Sequence, residues 1–210
     1  MQGLYINNTM KFDIILELYN TTFSSPWVEL LPGELYRSEF VSSAKRPYTI
    51  DFDVSEHLTD LLSTKEIRQL SSDLLSKIKN LKPFTLSFGD KNDFLNSHDI
   101  TGAGGAASVF GSVISATKQF IEGRSQVYRR VKRNTIFPKD LDAKSLNPLI
   151  KKGDLVESDC PTVNLLILSA KEASRRKLYD RMTPLLAKQL NWDLGIIDAK
   201  EDRYYLFVRK

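Results

Sequence analysis

The chain has 210 residues, 41% of them hydrophobic and 27% charged, which matches a folded domain with its own core and excludes the disordered and low-complexity classes. A single cysteine, Cys160, excludes a disulfide framework within the chain and fits a reducing, cytoplasmic setting. The formal charge of +4 is unevenly spread: residues 1–100 carry ten Lys/Arg against fourteen Asp/Glu, and Lys118–Lys152 carries ten against three.

In chain order, Lys11–Tyr19 (KFDIILELY) alternates apolar and polar residues and predicts a strand. Asn20–Pro32 holds Pro26 and Pro32 and reads as loop or short extended chain. Tyr48–Val54 predicts a second strand, with Ile50, Phe52 and Val54 on one face and Thr49, Asp51 and Asp53 on the other. Ser55 caps a short turn through Leu62. Ser63 with Glu66 has the form of a capping box, opening a helix over Thr64–Lys79 whose apolar residues recur at helical spacing. Phe84–Phe88 alternates as a third strand.

Asn92–Gly105 is loop-like. Val109–Val131 reads as helical, with a break near Glu122-Gly123, and Asn134–Asp159 reads as irregular because of Pro138, Pro148 and Gly153. Val163–Leu168 is an apolar run expected as a buried strand. Ser169–Glu172 is a second capping-box pattern, before a helix over Ala170–Leu190 that Pro184 kinks or divides. Leu194–Ile197 and Arg203–Arg209 predict a terminal β-hairpin. These elements predict one α+β domain over residues 1–210, with a mixed or antiparallel sheet and helices on one side. An irregular basic excursion interrupts it around residues 118–160. Ferredoxin-like elements are one arrangement that fits.

Most candidates for chemistry are weak. His57-Leu58-Thr59 resembles one of the two His-x-Thr tripeptides that face each other in 2H phosphoesterases. The only other histidine, His98, is followed by Asp99-Ile100, so a second tripeptide is missing and His57 is expected to be non-catalytic. Gly102–Ala107 has a Gly-x-Gly-x-x-Ala spacing without the preceding strand that dinucleotide binding requires. Asp51 and Asp53 face one way and could hold a divalent cation only with a third ligand from elsewhere. The sequence implies no cofactor and no metal, and it favours a protein that is not an enzyme.

The strongest functional signal is Gly123–Arg133, GRSQVYRRVKR, with no acid between Glu122 and Asp140. Read as a helix, it has an apolar seam at Val127 and Val131. Arg124, Arg129, Arg130, Lys132 and Arg133 then offer forked and point charges suited to phosphate oxygens. This reading expects a non-enzymatic nucleic-acid-binding protein, RNA rather than duplex DNA, because no helix-turn-helix or zinc pattern is present. Tyr205 and Phe207, alternating on the last strand, either stack on bases or fill core. A second reading is a self-associating, matrix-like protein on an acidic membrane or nucleocapsid surface, using the Gly/Ala-rich Gly102–Ala116 segment beside the basic run. A 2H-like or metal-dependent phosphoesterase is the third.

Overall fold

The computed structural model describes residues 23–43, 45–92, 106–171 and 173–210. The strand expected over Lys11–Tyr19 lies outside them. Nine strands among the described residues form one mixed sheet: β1 (Trp27–Leu31), β2 (Leu35–Val41), β3 (Pro47–Val54), β4 (Pro83–Asp90), β5 (Val127–Arg130), β6 (Leu155–Ser158), β7 (Leu165–Ala170), β8 (Trp192–Asp198) and β9 (Arg203–Arg209). Their order is β6-β5-β1-β2-β3-β4-β7-β9-β8. β1 to β4 form an antiparallel meander. The sheet grows outward from it by two parallel pairings, β1 with β5 and β4 with β7. This is the α+β class with a mixed sheet that the sequence predicts.

Among the described residues five α-helices accompany the sheet: α1 (Thr64–Ile67), α2 (Ser72–Ile78), α3 (Ala106–Ile121), α4 (Ala143–Lys151) and α5 (Ala173–Leu190). The two long ones, α3 and α5, cover one face and share its core. There Val113 and Phe120 of α3 and Met182 and Leu186 of α5 meet Trp27, Phe52, Leu166 and Phe207 from the strands. Three short helices add partial cover on the opposite face. α1 and α2 pack on Leu165, Ile167, Leu206 and Val208, while α4 places Leu146 against Val28 and Leu155.

Several boundaries move for local reasons. The single helix expected over Thr64–Lys79 is two, because Ser71 caps a new start by accepting from the Leu74 N–H at 3.3 Å. β1 forms between the two prolines that suggested a loop, and α5 runs through Pro184 to Leu190. The irregular stretch Asn134–Asp159 contains α4 and β6. Asp142 caps α4 by accepting from the Ser145 N–H at 2.7 Å, and the breakers that hid this helix are compatible with it. Pro148 sits within it, and Gly153 ends it at φ +70°.

Phe120 joins α3 to three aromatic rings of the main core. Its ring lies 4.6 Å from those of both Trp27 and Phe52 and 5.5 Å from that of Tyr36, and it is fully buried. Phe120→Ala is expected to lower the unfolding free energy by about 3–5 kcal/mol, seen as a reduced urea midpoint.

Candidate nucleic-acid interface

The basic segment is not a helix. α3 stops at Ile121, and the Gly123 and Arg124 N–H groups donate to the carbonyls of Phe120 and Gln119, with Gly123 at φ +69°. That is a glycine-capped helix end, which a residue with a Cβ would strain. The chain then enters β5, parallel to β1 and antiparallel to β6, with Val127 beside Trp27 and buried in the core. Strand alternation therefore replaces the helical arc, and neighbouring arginines point to opposite faces.

The structure sorts the five candidate cations. Arg124 pairs with Glu122. Arg129 is exposed on the Trp27 side of the sheet and carries no hydrogen bond or ion pair among the described residues. Arg130 turns to the other face and is occupied. Its Nη2 donates to the Leu30 carbonyl at 2.7 Å and its Nη1 to the Thr135 carbonyl at 3.4 Å, with the guanidinium 5.1 Å from the Phe137 ring centre. Lys132 reaches Asp154 at 3.3 Å, and Arg133 is exposed without a partner among the described residues.

Two further cations join them. The Val131 N–H donates to the Asp154 carbonyl at 3.0 Å, so the chain after α4 returns to the end of β5. Gly153 and Asp154 close α4 through its Ile150 and Leu149 carbonyls, which leaves Lys151 and Lys152 exposed at the same corner. The signal for these lysines was the pattern Lys-Lys-Gly at a helix end. Lys132 pairs with Asp154, and the Val131–Asp154 backbone bond joins the segment of Lys132 and Arg133 to that of Lys151 and Lys152, all four of them exposed. Val131 and Ile136 stand beside them 54% and 86% exposed.

Arg129 also borders a polar cleft of about 760 Å³ lined by Glu29, Tyr36, Glu157, Asp159 and Cys160. Burial, reinforced by the charge of Glu29 and the hydrogen bond to it, pushes the Tyr36 phenol up to about 12. Burial likewise raises the Cys160 thiol, which donates to the Ser125 carbonyl at 3.2 Å, so this sulfur is not an activated nucleophile.

The remaining candidates find structural places. Asp51 is buried and accepts two hydrogen bonds from Arg37, each at 2.7 Å. Partial desolvation and then the charge of Asp51 raise the Asp53 carboxyl. No cluster of three His, Cys, Asp or Glu suited to a metal exists among the described residues. His57 starts a 3₁₀ turn over Leu58–Asp60, its backbone N–H donating to Asp60 at 2.9 Å. His98 and Gly102–Gly105 lie outside the described residues. Tyr205 and Phe207 are fully buried core. From Val109 onward the apolar stretch belongs to α3, packed on the sheet. Among the described residues, no helix is long and apolar enough to cross a membrane. Comparison with known proteins finds no matching family model, no similar curated protein and no similar solved structure.

Two predictions separate structural from free charges. Arg130→Gln is expected to cost about 1–3 kcal/mol, because the Leu30 and Thr135 carbonyls lose a charged donor. Arg129→Gln and Arg133→Gln are expected to stay within about 0.5 kcal/mol of the parent in the same denaturation assay. Arg37→Met is expected to destabilise by up to about 3 kcal/mol, the low end for a buried pair because Arg37 keeps some solvent contact. Urea unfolding curves of the parent and the variant, taken at one pH, read the loss.

Proposed function

We propose that this protein binds nucleic acid without catalysis, single-stranded RNA in preference, through phosphate contacts at the β5–β6 corner. The observation that carries the reading is that the Val131–Asp154 bond joins the segment of Lys132 and Arg133 to that of Lys151 and Lys152, with only Lys132 paired to a carboxylate among the described residues. Exposed cations drawn from two joined chain segments make a local positive field of the kind that phosphate backbones seek. Arg130 serves this surface indirectly by holding the Thr135 carbonyl, and with it the turn that carries Lys132 and Arg133. Arg124 contributes less, since Glu122 offsets its charge.

A second reading has its own support. Ile136 and Val131 are the apolar groups beside these cations, and exposed apolar side chains flanked by lysine and arginine also suit an acidic lipid surface. The Gly102–Ala116 segment no longer supports that reading, because its described apolar side chains are core.

The test is the salt dependence of binding to fluorescent oligouridylate and to unrelated single strands. The variant Arg133→Gln/Lys151→Gln/Lys152→Gln is expected to keep its fold. If the three cations contact phosphates, the slope of log affinity against log salt flattens by about 2, at roughly 0.7 per lost contact. Affinity falls similarly for all sequences, since phosphate contacts do not read bases. An unchanged slope, or no binding by the parent protein at low salt, overturns the reading. Pelleting with phosphatidylserine vesicles that Ile136→Asp abolishes would then establish the lipid surface instead.

A further inference from the structure

In the segment that joins β3 to β4, a cleft of about 590 Å³ opens between the 3₁₀ turn Leu58–Asp60 and the α1–α2 pair. Its size falls within the roughly 300–1,000 Å³ typical of small-ligand pockets. The floor is apolar: Leu58, Ile67, Leu75, Ile78 and Leu81 all line it. Leu58 and Ile78 are buried in the second core, while Ile67, Leu75 and Leu81 are only half-buried and leave hydrocarbon facing the opening.

The rim is different in kind. His57, Thr59, Lys79 and Lys82 border the cleft, and the sole carboxylate among its lining residues is Glu56. That carboxylate is already held by Lys82 Nζ at 2.7 Å. Lys79 is exposed and has no partner among the described residues, so the unbalanced charge at the mouth is positive. The His57 backbone is fixed at the rim by its hydrogen bond to Asp60. An apolar floor beneath a rim with one unpaired cation and no free carboxylate matches an amphiphile with a hydrocarbon body and an anionic head.

We propose that this cleft binds a single-chain alkyl carboxylate, its chain over Leu75 and Leu81 and its carboxylate at Lys79. The site is independent of the basic corner: it lies on different elements, the segment between β3 and β4, and it takes a different ligand.

The experiment is calorimetric titration of the full chain with decanoate, decanol and decyltrimethylammonium, each kept below its micellar concentration. Saturable one-to-one decanoate binding is expected, with the ammonium analogue clearly weaker. Lys79→Glu, an exposed change at the C-terminus of α2 that destabilises the helix only slightly, weakens decanoate by roughly five- to tenfold, the scale of an exposed ion pair replaced by like charges. The same variant binds decanol as the parent does. Leu75→Trp, which places an indole in the cleft, abolishes binding of all three while circular dichroism stays native. Three outcomes overturn the proposal: no decanoate binding up to about 1 mM, equal affinity for the ammonium analogue, or an unchanged decanoate affinity in Lys79→Glu. If Leu75→Trp fails to fold, the head-group comparison and Lys79→Glu decide the matter alone.

Discussion

The aromatic contact between Phe120, Trp27 and Phe52 determines where the chain goes after α3, and with it the character of the basic surface. Phe120 is the second-to-last residue of α3 and lies against both rings at 4.6 Å. That contact fixes the end of the helix over β1, so the chain emerging through Gly123 is already beside the β1 edge. A helix continuing through residue 131 would carry Val127 away from Trp27. The strand instead buries Val127 completely next to it. Burial of one valine and the backbone bonds of a new strand outweigh the modest helical preference of a run rich in arginine. The alternation of Arg129 and Arg130 is a direct result.

The opposite face of the sheet depends on ion pairs where the main face depends on rings. Between the α1–α2 cover and the α4 cover, strands β2 to β4 present Arg37 to Asp51 and Glu39 to Lys91. Glu39 also accepts the Leu141 N–H at 3.0 Å, and Lys91 reaches Asp140. These bonds anchor the segment leading into α4, whose far end carries Lys151 and Lys152. The positions of the surface lysines are therefore set by a nearly buried carboxylate in the middle of the sheet. The Asp51–Asp53 pair, which by spacing alone resembles the start of a metal site, is turned by Arg37 into a structural bond.

What the sequence reveals follows from how local each signal is. β3 and β4 show in their alternation of apolar and polar residues, although both faces of β3 are buried over Tyr48–Phe52, and the β8–β9 hairpin is marked by its short polar turn. Val127–Val131 defeats the same reasoning, because VYRRV satisfies both a strand period and an i, i+4 seam. Only the neighbour β1, a hundred residues earlier, breaks the tie, and a single sequence does not show which strands are adjacent. β1 was masked by the prolines at its flanks and α4 by Pro148 and Gly153, each of which has a legitimate place at or within its element. Of the candidate site, the free charges of Arg129 and Arg133 were visible in the sequence. The occupation of Arg130 and the arrival of Lys151 and Lys152 were not, because both depend on contacts between distant segments.

A basic strand presents its charge differently from a basic helix, and the difference limits what this corner can do. Alternation sends only every second side chain to a given face, so β5 alone supplies Arg129 on one side and the occupied Arg130 on the other. The rest of the field comes from the turn after β5 and from the last turn of α4. Lys151 and Lys152 sit at the carbonyl end of that helix, whose partial negative charge stabilises them without a partner acid. The same dipole, together with Asp154, reduces the field felt at a distance below the formal count of four cations. On the proposed reading, such a surface attracts a polyanion over about a Debye length and holds it by a few salt-sensitive contacts. Alternation gives it no row of neighbouring donors on one face among the described residues, so on that reading affinity follows phosphate density and ionic strength, with little dependence on sequence.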